Sequence, residues 1–330
     1  MTDRDLTERR LPPERGVVAS RQDAGGGAST PSFRRMEGSS LAAESPAPTT
    51  IGRRRFDWGA RTFVMGIVNV TPDSFSGDGL LADGGGSGAV ERAVELARTM
   101  ADEGADVVDV GGESTRPGHD VVAAEDEAAR VVPVVRAIRA ALPELPISID
   151  TTKPSVAAAA IEAGANLVND VWGVAEDDGL ARLAAERGVP LVVMHNRAEA
   201  RYVALLPEIL GDLARALDRA LAAGCGWDDL LVDPGFGFGK APEHNVELLR
   251  ALPSLRLLGR PVVLGTSRKS TLGKILDLPA DQRLEATLAT TALAAAAGID
   301  VVRVHDVRPN VRVARTVDAV LRPAMPEPHR

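Results

Sequence analysis

Of 330 residues only Cys225 is a cysteine, which excludes an internal disulfide framework and a cysteine-built zinc site. Lying between Gly224 and Gly226 with no histidine nearby, Cys225 reads as a packing residue rather than a nucleophile. Aromatic residues make up 3% of the chain, so the core has to be aliphatic, drawn from Ala, Val and Leu. No apolar run reaches the roughly 18 residues of a membrane span, and no signal-type segment opens the chain. A membrane partner is therefore not expected, and the cytoplasm is the expected compartment. The net charge of −8 excludes general affinity for nucleic acid, so an anionic ligand would need a local cationic pocket. Lysine is nearly absent too: Lys153, Lys240, Lys269 and Lys274 are the only lysines among 38 basic residues. A chain that otherwise uses arginine keeps a compact ammonium where a guanidinium would not serve, and three of the four follow predicted strands.

Residues 1–55 mix Gly, Ser, Pro and Ala with dispersed charge and show no apolar period, which predicts a disordered tail. Residues 56–325 are the expected folded domain. Eight short aliphatic runs begin at FVMGIVNV (63–70) and end at DVVRVH (300–305), separated by Ala-, Glu- and Leu-rich segments of helical period. Strand then helix, eight times over, predicts an α/β fold of the (β/α)8 TIM-barrel type. A doubly wound open sheet would carry a glycine fingerprint after its first strand, and NVTPDSFSGDG does not match it.

In such a barrel the chemistry lies at the C-terminal strand ends. Those ends are polar here. Asp150, Asn169, Asp233 and Lys269 form a set suited to a flat heterocycle that displays N–H donors and a carbonyl. Asn69, Arg303 and His305 come from strands that meet where the barrel closes and offer donors to a phosphate group. Blander readings stand beside these: Asp150 can cap a helix, Asn169-Asp170 can be a turn, His195 and His305 can be core histidines, and the carboxylates can hold a divalent metal. Lys240 or Lys269 can also form a Schiff base. DPGFGFGK (233–240) is not a phosphate loop, because three residues rather than four separate Gly235 from Gly239 and Ala241 follows the lysine.

Taken in order, GIVNVTPDSFS, DVGGESTRPG, SIDTTKP, LVNDV, VVMHNR, DPGFGFGK, LGTSRKS and RVHDV give residues 62–322 a close resemblance to the dihydropteroate synthase family of pterin-binding barrels. That resemblance implies a transferase of folate biosynthesis. It would condense 6-hydroxymethyl-7,8-dihydropterin diphosphate with 4-aminobenzoate, with magnesium bound, to give 7,8-dihydropteroate and diphosphate. By motif match Asp150, Asn169, Asp233 and Lys269 would hold the pterin, with Met194 and Phe238 lining its pocket, and Arg303 and His305 would bind diphosphate. Asn69 would be the magnesium contact. Phe75, Thr115, Arg116 and Pro117 match loops that close over diphosphate and aminobenzoate, and Ser270 matches a contact for the benzoate carboxylate. Lys269, Arg303, His305 and Asp150 would carry the catalysis. The glycines of DPGFGFGK would let backbone approach the ring, with Lys240 at the edge of the site. A homodimer through the late helices is implied as well. The first loop departs from the family's SFSDGG by placing Gly77 before Asp78. Two alternatives remain: a pterin-binding paralogue without synthase activity, and a methyltetrahydrofolate-binding methyltransferase domain.

Overall fold

The computed structural model describes residues 45–71, 88–113, 122–173 and 178–322. The chain enters through a two-stranded hairpin, β1 (Thr49–Ile51) and β2 (Arg54–Phe56). Eight parallel strands follow: β3 (Phe63–Asn69), β4 (Val107–Gly111), β5 (Ile147–Asp150), β6 (Leu167–Asp170), β7 (Leu191–Met194), β8 (Leu230–Asp233), β9 (Val263–Leu264) and β10 (Val301–Val304). They are ordered β8-β7-β6-β5-β4-β3-β10-β9. A parallel bridge between Val232 and Val262 joins the two ends of that order and closes the barrel. The helices cover its outside: α1 (Gly88–Asp102), α2 (Ala124–Ala141), α3 (Pro154–Ala163), α4 (Gly179–Arg187), α5 (Leu205–Ala222), α6 (Pro242–Arg250), α7 (Ser270–Leu276), α8 (Leu284–Ala297) and α9 (Val307–Leu321). None of the described helices is long and apolar enough to cross a membrane.

Because side chains alternate across a strand, each strand divides its residues between two cores. Leu230 and Val232 pack outward in the layer shared with the helices, while Leu231 between them packs in the barrel interior. The interior cluster occupies the N-terminal half of the barrel and is sealed by the hairpin: Ile51, Phe56 and Trp58 join Phe63, Met65, Val107, Leu167, Leu231 and Val301. Phe56, Trp58 and Phe63 pack ring on ring, with centroids 4.9–5.4 Å apart. Three of the chain's few aromatic residues thus plug the end of the barrel opposite the polar strand ends.

The hairpin corrects the expected tail. Residues 49–55 look like tail because Arg53, Arg54 and Arg55 mask two three-residue strands, yet Ile51 is buried and Thr49 donates to Asp228 O at 2.6 Å. Residues 1–44, which carry the rest of the tail expectation, lie outside the described residues. The small-residue stretch of α8 faces inward: Thr291, Ala294 and Ala295 are buried, with Thr291 Oγ1 donating to Asn310 Oδ1 at 2.6 Å, and Leu293 is exposed.

Candidate active site

Register brings the polar side chains together above the apolar plug. Asp150 at the end of β5 stands opposite Gly111 on one side and Asn169 on the other, and Met194 stands opposite Asp233. On β10, Arg303 follows Val301 on the interior face, two residues toward the C-terminal end. Its guanidinium donates from Nε to Asp109 Oδ2 at 2.6 Å and from Nη2 to Asp150 Oδ2 at 2.7 Å. Asn169 Nδ2 donates to the same Asp109 oxygen at 3.1 Å. Asp109 is wholly buried, Asp150 and Asn169 nearly so.

Each of these acids keeps an oxygen in reserve. Asp109 Oδ1 and Asp150 Oδ1, with Ser148 Oγ in register beside Asp109, are buried and make no hydrogen bond within the protein. Buried acceptors without partners are costly, so a ligand or water that brings N–H or O–H donors would be drawn to them. Burial pushes the Asp150 carboxyl up to about 7; Arg303 pulls it down and Asp109 pushes it further up. Burial works against the charge on Arg303, but Asp109 and Asp150 outweigh it and raise its pKa.

The opposite wall is built by β8 and the turn after β9. Asp233 is buried and accepts Gly235 N–H on Oδ1 at 2.7 Å; burial raises its pKa, and Lys269 opposes the rise. Lys269 Nζ donates to Phe236 O and sits 4.3 Å from the centre of the Phe238 ring. The turn that presents it is strained at Arg268, whose φ of 57° is in the left-handed region. Arg268 is held there by two hydrogen bonds to Asp306, at 3.1 and 2.8 Å, and by its carbonyl, which accepts Arg283 Nη1 at 2.8 Å. Ser270 follows, exposed, at the first position of α7. His305 Nδ1 lies 2.9 Å from Ser267 Oγ, which also accepts the His305 N–H at 3.2 Å. Asn69 closes β3, half-buried.

A pterin binding enzyme family model matches residues 65–305. A dihydropteroate synthase of Clostridium beijerinckii is 46% identical over 82% of this chain and 99% of its own length. The chain belongs to the dihydropteroate synthases. Among solved structures, the Clostridium difficile enzyme determined in the presence of pteroic acid shares 44% identity with a TM-score of 0.77, covering 81% of this chain and 99% of that one. The Xanthomonas albilineans enzyme with 4-aminobenzoic acid shares 41% identity, also at 0.77, covering 84% and 99%.

Within this member of the family the two subsets expected from the sequence are not separate. Arg303, grouped with the phosphate donors, commits two nitrogens to Asp109 and Asp150 and so belongs to the carboxylate set. Asp109 escaped the sequence reading because it lies two residues inside its strand; period-two alternation from Gly111 was the available signal. Lys240 is not at the edge of the site. It is buried and donates to His195 Nδ1 at 2.8 Å, Gly235 O at 3.0 Å and Phe238 O at 3.1 Å. Two of the glycines of DPGFGFGK have a further reason to be small. A Cβ on Gly235 would come within 1.8 Å of His195 O, and one on Gly239 within 2.3 Å of Arg197 O, so both are small to let this loop press on the chain after β7. Phe75, Thr115, Arg116, Pro117 and the Gly77-Asp78 departure lie outside the described residues.

Proposed function

We infer that this chain catalyses dihydropteroate synthesis, joining 6-hydroxymethyl-7,8-dihydropterin diphosphate to 4-aminobenzoate and releasing diphosphate. The observation that carries the reading is the set of unpartnered oxygens on Asp109 and Asp150, backed by Arg303, in a chain that belongs to this family. The 2-amino-4-oxo edge of a pterin presents adjacent N–H donors, which a carboxylate accepts in parallel. Asp150, Asn169 and Asp233 are the proposed pterin anchors, Lys269 the donor to its carbonyl side, and Met194 and Phe238 the apolar faces. When the carbon–oxygen bond to diphosphate breaks, positive charge develops on the pterin methylene, where buried carboxylates favour it. The arylamine nitrogen then forms the new C–N bond and releases one proton.

His305 and Asn69, at the ends of neighbouring strands β10 and β3, are the proposed diphosphate side of the site. A magnesium ion that keeps its waters and takes most of its remaining ligands from a diphosphate needs few protein donors. The single amide oxygen of Asn69 fits that role, and such an ion would neutralise charge on the leaving group. We further propose a homodimer, on the support of exposed Ile275, Leu276, Leu293 and Leu321 along α7, α8 and α9, and the cytoplasm as its compartment. The test is diphosphate release by purified protein given the pterin diphosphate, magnesium and 4-aminobenzoate. Release that requires aminobenzoate and collapses in Lys269→Ala and Arg303→Ala is expected; pterin binding without release would sink the synthase reading.

A further inference from the structure

The loop between β8 and α6 turns its carbonyls two ways. Gly235 O and Phe238 O point to Lys240 Nζ, and Gly239 O accepts the Tyr202 hydroxyl at 2.8 Å. Phe236 O, between them in sequence, accepts Lys269 Nζ on the side of the site. Asn245 fixes the middle of the loop, accepting Gly237 N–H at 2.7 Å and donating to Thr271 Oγ1 of α7 at 2.9 Å. One lysine thus gathers the loop from behind and a second is seated on its front.

We propose that Lys240 is a positioning residue that holds Phe236 O and the Phe238 ring where they orient Lys269. The inference deepens the proposed function and rests on it for the identity of the ligand, a pterin, that Lys269 meets. The chemistry of Lys240 fits the task. Burial lowers its pKa to about 7, and in the charged form held below that pH its three donors find three acceptors, so no N–H is left over. An ammonium facing His195 Nδ1 fixes the tautomer: Nδ1 accepts, and Nε2 carries the hydrogen and donates to Asp212 Oδ2 at 3.1 Å. Asp212 is itself held by Arg197 at 2.9 and 2.6 Å, and Arg197 lies over the Tyr202 ring, 4.6 Å from its centre. Behind the loop stands a continuous frame from α5 through His195 to Lys240. A planar guanidinium could not reach three acceptors arranged around one point, which accounts for a lysine in a chain that otherwise spends arginine.

Four lysines make the test direct. Whole enzyme labelled at lysine Cε gives four NMR signals, assignable by single Lys→Arg replacements. In Lys240→Met the Lys269 signal should move while those of Lys153 and Lys274 stay. Affinity for a pterin should fall about tenfold, but in a Lys269→Ala background the same change should cost less than about twofold, because Lys240 acts through Lys269. An unmoved Lys269 signal in a folded variant that has merely lost thermal stability would overturn the proposal. An undiminished loss of affinity in the Lys269→Ala background would do so too. Should Lys240→Met not fold, Lys240→Gln keeps two donors for the carbonyls and is measured the same way. Wild-type protein that binds no pterin would defeat the functional reading instead, and the lysine spectra would still decide the role of Lys240.

Discussion

Arg303 and Asp109 are joined at 2.6 Å over the inner face of β3, from β10 on one side of it to β4 on the other, with the carboxylate wholly buried and the guanidinium mostly so. Removing Asp109 takes one of two carboxylates from Arg303, which keeps its hydrogen bond to Asp150 at 2.7 Å. We expect Asp109→Ala to lower stability by roughly 1.5–3 kcal/mol, the worth of a hydrogen bond between charged groups. It should also lower kcat/KM for the pterin substrate, since Arg303 and Asn169 both lose an anchor. Urea denaturation beside steady-state kinetics checks this; a variant of unchanged stability would show the pair to be poorly coupled to the fold.

The carboxyl of Asp150, raised to about 7 chiefly by burial, gives a pH dependence with a definite sign. An ionised carboxylate accepts two N–H donors and a protonated one accepts poorly. As pH falls below about 7 the accepting form is lost, so kcat/KM for the pterin diphosphate should decline toward acid. Asp150→Asn does not titrate. Its lower activity should be flat over that range, and an inflection that survives the substitution would assign it to another group.

Lys153, given no site role from the sequence, lies between two acids. It donates to Glu113 and, at 2.6 Å, to Glu127 Oε2, while Glu127 Oε1 is buried without a partner. Glu113 in turn accepts Val122 N–H at 3.0 Å, tying the end of β4 to the approach of α2. Lys153→Met strands Glu127 as an unpaired buried charge and should cost roughly 3–5 kcal/mol. Adding Glu127→Gln should recover part of that loss, and a double-mutant cycle by thermal melting reads the coupling.

The hairpin plug should matter for stability alone. Phe56 is buried among Trp58, Phe63 and the strand starts, at the far end of the barrel from Asp150 and Lys269. Phe56→Ala should cost about 3–5 kcal/mol in denaturant while leaving the KM values of the folded enzyme unchanged. A shifted KM would mean that the plug and the site are mechanically linked.

The barrel was legible because eight short aliphatic runs alternate with segments of helical period. The candidate site was legible where a side chain lies at or next to a strand end, as with Asp150, Asn169 and Asp233. Three features were not. Asp109 lies inside its strand, so only the alternation of faces betrays it. Lys240 sits among the polar residues of a loop, where lysine is ordinarily solvated, and no local pattern announces that three acceptors surround it. The hairpin strands are too short for any period, and their exposed arginines conceal the burial of Ile51 and Phe56. Each miss concerns tertiary partners that residue types in sequence do not specify.

His195 supplies a test of the frame behind the loop that needs no substrate. Burial, then the ammonium of Lys240, lowers its pKa from 6.5 to about 4. The folded chain therefore declines a proton that the unfolded chain takes up below 6.5. The stabilisation is fully present above 6.5 and is lost as pH falls through that value toward about 4. At 1.36 kcal/mol for each unit of difference this amounts to roughly 3 kcal/mol. His195→Asn keeps an oxygen for Lys240 but has no proton to gain. It should start less stable near neutrality and decline less steeply between those two pH values, as read from urea midpoints at a series of pH. Parallel declines in the two proteins would show that His195 accepts its proton inside the fold, which would require Lys240 to move away from Nδ1.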